Sequence, residues 1–475
     1  MADFASRRSD LIREENAKPG DPGWMLTNCE VVPPVRFRSS RIEGYCSRTS
    51  AAAGESLEIF VSTNPPTPFT IDLYRSGWYG GAGARRVATL GPFRGEVQPD
   101  PPVGEKRLRE CRWAPATRLT IPSDWPSGVY LGKLTAEAGG YQSYVTFVVC
   151  DRCRADFLFQ CSTNTWQAYN RWPDHYALYD DGKNSWYWGP DVRVSYDRPY
   201  GRYCQIHDAP LSTGSGEWLL WEFPLAYWME KEGYDVTYIT NVDTHADPAG
   251  LLRGKAFLSV GHDEYWSPEM YASVRRAVDA GLNAAFLSAN SVFGITPFAP
   301  SAAGVPDRIL ERVGVFAPRE EEMVARFPTM ARLGTWGPDG ALLMGNRSVS
   351  PVTGGGDWIC AKPAHWLFEG TGMRAGDGIP GIVGWEWHGA PAELPGLEVV
   401  ATGPTASGKE KGTFAATIHP GPRGNHVFSA GTIWWSDGLA EPPGYLHPKA
   451  YGPGPQGPDP RVQRITRNLF GKFLA

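Results

Sequence analysis

Residues 256–287 read AFLSVGHDEYWSPEMYASVRRAVDAGLNAAFL. A short apolar run, Ala256 to Val260, ends in a Gly-His-Asp-Glu turn, and a helix with clear limits follows. Ser267 is an N-cap residue type, Pro268 suits the first helical turn, and Tyr271, Val274 and Val278 share a face. Gly281 closes the helix, and Asn283 to Leu287 is again apolar and of strand length. Strand, helix and strand at this spacing predict parallel strands buried on both faces, joined by a right-handed crossover.

The same texture extends outward. Ala155-Asp156-Phe157-Leu158-Phe159 is another buried-strand run, Tyr234 to Ile239 a further strand, and Pro248 to Leu252 a short helix. Glu217 to Lys231 reads as a helix that Pro224 kinks or delays and Gly233 stops. Earlier, LEIFVST, FTIDLYRSGWYG, TRLTIP, GVYLGKLTAE and YQSYVTFVV alternate apolar and polar residues between turn signals. That pattern predicts an antiparallel sandwich of immunoglobulin or fibronectin-III type. The expected fold class is therefore α+β and multidomain. An extended lead-in (1–34) precedes a β-sandwich (35–150) and an α/β domain with a parallel sheet (151–475). A loop-rich, Gly/Pro-rich insertion is expected at about 295–380. After it, GLEVVAT, GTFAATI and NHVFSAGTI add strands, and Pro460 to Leu474 forms a terminal helix.

Composition narrows the function classes. Against 46 Lys and Arg stand 51 Asp and Glu, a net charge of −5 with mixed signs, which argues against nucleic-acid or membrane-surface partners. No apolar run approaches the roughly 18–20 residues of a membrane helix. The N-terminal stretch has no apolar signal core, so a cytoplasmic protein is expected. Eight cysteines over 475 residues do not make a disulfide scaffold, and the lone CxxC of Cys150 and Cys153 lacks the partners of a zinc site. The 19 Trp and 20 Tyr often sit in polar, Gly-rich contexts, which places some of them along clefts.

In an open α/β sheet, ligands collect beyond the carboxyl ends of the parallel strands. Three such ends carry polar groups: Gln160 to Asn170, Gly261 to Trp266, and Ser288 to Ser291. Asp263 is expected to cap or solvate a helix start. His262 and Glu264 read equally well as a buried hydrogen-bonded pair or as a site. Cys161 reads as structural, and no G-x-S-x-G marks a serine nucleophile; Gly214-Ser215-Gly216 is a flexible turn. Glu386 and His388 are expected to cap the sheet rather than reach a pocket.

Five ordered segments carry a resemblance: Arg75 to Gly81, Asn164 to Asn170, Val194 to Tyr200, Gly261 to Trp266, and the strand end from Phe286 to Asn290. They resemble the large-subunit family of N,N-dimethylformamidase over most of residues 40–300 and again around Val427 to Trp435. The resemblance implies a β-sandwich followed by a domain similar to class I glutamine amidotransferases without their nucleophilic cysteine. It also implies one iron, ferric in character, held by two tyrosine phenolates and a glutamate. Carried over, the ligands are Glu264, Tyr169 and Tyr196, with Tyr200 as the alternative second tyrosine. His262 and Asn290 are the implied catalytic residues, orienting water or the oxyanion.

A free phenol has a pKa of about 10, and a hard trivalent cation stabilises phenolate and carboxylate oxygens together. The implied activity is hydrolysis of a small amide or related C–N bond in a small-molecule substrate. A homo-oligomer and a small partner subunit are compatible with it. The lectin-like domain of the amidase is absent from the matching stretch, which leaves the substrate open. Two rivals stand beside this reading. One is a non-catalytic protein binding a glycan or small ligand on an amidotransferase-like scaffold. The other is a family member using the iron for different chemistry in secondary metabolism.

Overall fold

The computed structural model describes residues 4–30, 37–184, 186–201, 210–351, 353–445, 454–455 and 457–475. Residues 31–36, where the sequence puts the boundary between lead-in and sandwich, lie outside the described residues. The fold is mixed α/β.

Two antiparallel layers form the N-terminal body. Strands β1 (Ile42–Cys46), β3 (Ser56–Thr63) and β6 (Pro115–Thr120) make one sheet. In the second, β2 (Ser50–Ala52) pairs parallel to β8 (Gln142–Cys150), and β7 (Gly128–Ala136), β4 (Phe69–Ser76) and β5 (Ala84–Phe93) complete it. Burial alternates along the first halves of β3 and β4 with the period of two of a half-buried strand, and their ends are buried on both faces. Ile42, Leu57 and Ile59 from the first sheet meet Ile71, Leu73, Leu134 and Phe147 from the second in one core.

The expected extended lead-in is instead part of this body. Residues 11–16 form helix α1 (Leu11–Asn16), Ile12 and Trp24 are buried, and Trp24 Nε1 donates to the Ala82 carbonyl at 2.9 Å. The Asn16 side-chain oxygen accepts from the backbone of Trp78 and Tyr79 at 2.8 and 3.0 Å, tying the lead-in to the RSGWYGG turn.

The second layer system is a nine-stranded sheet. Its parallel half runs β11 (Val236–Thr240), β9 (Ala155–Cys161), β12 (Gly254–Gly261), β14 (Asn283–Ser288) and the strand His426–Ser429. The antiparallel strands Glu410–Pro420, Glu398–Ser407, Gly354–Ile359 and Gly378–Trp385 extend it. Gly354–Ile359 and the first residues of Gly378–Trp385 come from the stretch expected to be insertion, which shortens the loop-rich region to about residues 295–353. Periodicity missed them because Gly354, Gly355 and Gly356 lie where neighbouring backbone comes close: a Cβ on Gly356 would stand 2.5 Å from the Pro404 carbonyl.

Helix α4 (Asn241–Ala246) follows β11, and between β12 and β14 run the short strand β13 (Tyr265–Trp266) and α5 (Pro268–Asp279), started by Ser267, whose hydroxyl accepts from Met270 N at 3.1 Å. Helix α3 (Phe223–Glu232) begins just before Pro224, which sits in its first turn, and ends at left-handed Gly233. The terminal helix Pro460–Leu474 buries Val462, Ile465, Leu469 and Phe470 against the sheet, with the Phe470 ring 4.5 Å from that of Phe157. Among the described residues no helix is long and apolar enough to cross a membrane. The seven described cysteines are all free, and Cys161 is buried with its thiol pushed well above the usual range by that burial.

Candidate active site

The parallel strands all point their carboxyl ends the same way, and the polar segments singled out there converge. After β9, helix α2 (Thr163–Tyr169) carries Tyr169 on its last turn. Gly261 ends β12 with φ +65°, and a Cβ there would stand 2.5 Å from the Trp221 Cβ. Only glycine lets the chain turn this tightly against Trp221, and the turn delivers His262 and Glu264 into the interior. Both are essentially fully buried. The backbone N–H of Glu264 donates to the Thr165 hydroxyl at 3.0 Å, fixing the turn against α2.

A relay of hydrogen bonds crosses this interior. Arg312 Nη1 donates to the Tyr265 hydroxyl at 3.0 Å, Tyr265 to Tyr179 at 2.6 Å, Tyr179 to Tyr169 at 2.6 Å, and Tyr169 to Glu264 Oε2 at 2.7 Å. The Tyr179 oxygen also lies 3.0 and 3.1 Å from the two Glu264 oxygens. Burial pushes the Tyr169 and Tyr179 phenols well above their usual pKa, and the Glu264 carboxylate adds to the shift.

The imidazole of His262 stands between two carboxylates, its Nε2 3.3 Å from Glu264 Oε2 and 3.0 Å from Glu386 Oε2. Burial alone would lower its pKa, but Glu386 and Glu264 outweigh that and push it up to about 10. The imidazole is therefore charged at neutral pH. Burial raises the Glu386 carboxyl, while His262 opposes that rise.

Of the residues singled out in the sequence, Tyr169, Glu264 and His262 meet here, and Asn290 lies on the adjoining cavity wall with its Oδ1 accepting from the Ser348 hydroxyl at 2.8 Å. Tyr196 does not join them. It follows β10 (Arg193–Ser195), and its hydroxyl donates to Asn164 Oδ1 at 2.6 Å, with Thr163 Oγ1 at 3.2 Å, while Arg308 covers its ring. Those partners stand at the start of α2, and Tyr169 stands at its end. Six residues of helix at about 1.5 Å each separate the two positions. Tyr200 packs on Trp166 with ring centroids 6.0 Å apart, also away from Glu264. The second phenol beside Glu264 belongs to Tyr179, ten residues beyond Tyr169 in the aromatic loop.

Two further expectations change. Glu386 reaches the cavity instead of capping the sheet, because the strand Gly378–Trp385 runs directly into the site and releases it there. His388 is structural: its Nε2 accepts from Ser291 N at 3.2 Å and its Nδ1 lies 2.9 Å from Asn346 Oδ1. Asp263 caps no helix. It is buried and accepts from Gln160 at 2.6 Å, Ser259 at 2.9 Å and Asn241 at 3.1 Å, locking together the ends of three parallel strands.

Tyr169, Tyr179, Asn290, Trp385 and Glu386 line one end of a cavity of about 570 Å³. Among the described residues no group of three or more His, Cys, Asp or Glu side chains is arranged to hold a metal. A cation here would depend on the phenols, and the set of Tyr169, Tyr179 and Glu264 fits one. Two phenols and one carboxylate stand within hydrogen-bond distance of one another, and a hard cation taking the place of the shared protons would offset the cost of burying three anionic oxygens.

A family model described as N,N-dimethylformamidase beta subunit-like, C-terminal, matches residues 70–449. The chain belongs to this family. The match to the dimethylformamidase beta-subunit-like model runs from β4 past the strand His426–Ser429 and includes every residue of the relay. The dimethylformamidase-like family supports a hydrolase acting as an amidase. No curated protein matches the chain. Tyr179 was missed because its signal is weak, one tyrosine in a Trp/Tyr-rich loop with Trp186 and Trp188, whereas Glu386 stood out after an apolar strand and only its direction, toward the cavity, was misread.

Proposed function

We propose that this chain hydrolyses an amide or related C–N bond with one iron held by Tyr169, Tyr179 and Glu264. The observation that carries the proposal is the convergence of those three oxygens beside the His262–Glu386 pair at one end of a deep cavity. When bound, the metal supplies Lewis acidity that polarises a carbonyl and acidifies water.

The chain's own groups supply the rest. Glu386, on the cavity wall and raised by burial, accepts a proton from the attacking water and returns it to the leaving nitrogen. Water adds to the amide carbon, the C–N bond breaks, and a carboxylic acid and an amine result. The charged His262 holds Glu386 in place and keeps a cation facing the developing negative charge. The Asn290 side chain orients the amide oxygen from the cavity wall. The surrounding aromatic side chains exclude bulk water, which strengthens each of these interactions.

The finer architecture belongs to the same proposal: an immunoglobulin-like sandwich carrying an amidotransferase-like domain, in a cytoplasmic protein that can pair with copies of itself or with a small subunit. The five parallel strands with the site at their carboxyl ends support the domain assignment.

Metal analysis and the visible spectrum of the purified protein test the site. Iron near one per chain, with a phenolate-to-iron absorption band, is expected. Tyr179→Phe and Glu264→Ala should lose both, and Tyr196→Phe should keep both. A colourless, iron-free protein would overturn the proposal, as would full iron in Glu264→Ala.

A further inference from the structure

We infer that the substrate carries a ring-sized apolar group, an aryl or fused-ring substituent, on its amide. The inference rests on the amide-hydrolase reading above and adds the substrate class.

Size is the first argument. At about 30 Å³ per water, the 570 Å³ cavity holds on the order of twenty water-sized volumes. An amide of four or five heavy atoms fills about a quarter of that. The volume falls instead in the range that encloses drug-sized ligands.

The wall is the second. From the Tyr179 ring an aromatic surface runs outward without interruption: Trp188 lies 5.1 Å away edge-on, and Phe293 and Phe327 lie 5.6 and 5.8 Å from Trp188. Met323 and Met330 also line the cavity, and their polarisable sulfurs suit the edge of a ring. Trp186, 5.6 Å from the Tyr179 ring, leaves 54% of its surface in water at the lip of the cavity. It continues the aromatic wall on which a ring would stack.

Charge is the third. Arg326 is paired with Glu410 at 2.9 Å, and Arg347 with Glu320 at 2.5 Å and Asp339 at 2.9 Å. The cations on this wall are already matched, so it favours a neutral ring over a carboxylate or phosphate.

The purified protein with its metal is titrated calorimetrically with N-(2-naphthyl)acetamide and with acetamide, and turnover of both is measured. Burial of a fused ring should tighten binding at least about 100-fold over acetamide, even after the cost of ordering it. A similar ratio is expected in kcat/KM. Met323→Trp, which fills the cavity, should weaken naphthyl binding about tenfold at an unchanged melting temperature. Equal affinity for the two amides would overturn the inference. So would a kcat/KM for acetamide at or above that for the naphthyl amide, and this result would leave the hydrolase reading standing. Tight naphthyl binding with neither amide cleaved would support the ring pocket and overturn the hydrolase reading instead.

Discussion

Arg75 and Glu230, 155 residues apart, meet as a fully buried two-armed ion pair, with Nη1 2.9 Å from Oε2 and Nη2 2.9 Å from Oε1. Arg75 stands on β4 of the sandwich and Glu230 on α3 beside the main sheet, so the pair joins the two bodies. Glu230 also accepts from Tyr238 at 2.8 Å and Asn16 at 2.7 Å, and Arg75 donates to the Ser127 carbonyl at 2.7 Å. Glu230→Gln would strand a buried guanidinium, and a loss of about 3–5 kcal/mol in urea unfolding is expected. The double variant Arg75→Met/Glu230→Leu should recover most of it. A loss under about 1 kcal/mol in the single variant would show that the pair is not what holds the bodies together.

Glu386→Gln separates proton transfer from metal retention. Glu386 touches His262 but is not one of the three oxygens proposed for iron. Its variant should keep iron and the visible band, while kcat falls by about 10²–10⁴, the range for loss of a positioned acid–base group. Loss of iron with kcat would place Glu386 among the ligands.

Acid should weaken the fold through His388. Burial pushes this imidazole down to about 3, against about 6.5 in an unfolded chain. Between those values the unfolded state binds the extra proton, so stability rises with pH across the window. The contribution is complete above about pH 6.5 and is lost on acidification toward 3, at up to about 1.4 kcal/mol per unit. Urea midpoints measured across this window should fall less steeply in His388→Gln than in the parent. Parallel slopes in the two proteins would rule the assignment out.

The helix after the His262–Glu264 turn depends on its cap. Ser267→Ala removes the acceptor for Met270 N and should destabilise by about 1 kcal/mol. A urea midpoint identical to the parent's would mean that water replaces the cap at no loss.

How much of this was legible in the sequence follows from local and non-local encoding. Ser267, Pro268 and the apolar runs of β12 and β14 act within a few residues, and they announced the helix, the parallel strands and the turn between them. His262 and Glu264 were visible because a buried strand ended on them. Tyr179 was not, since nothing local distinguishes it from Tyr196; the choice between them is made by α2, which turns one end toward Glu264 and the other toward Tyr196. Glu386 was visible but read as a cap of the sheet, because its strand pairs through glycines, which carry no alternation to show where the strand end faces. The lead-in helix escaped notice because Ile12 and Trp24 gain their partners from distant segments, Trp24 from the Phe223 ring of α3 at 5.8 Å and from the Ala82 carbonyl of the sandwich.

The three proposed donors come from segments at the ends of β9 and β12, whereas Met323, Phe327 and Met330 of the cavity wall come from the loop-rich stretch before residue 353. The outer part of the wall is thus written in a different stretch of the chain from the proposed donors. Grafting a different outer stretch onto the same sheet, with Arg312 and its hold on Tyr265 kept, would give a reaction vessel of another size, which makes this fold a practical starting point for engineering new amidases.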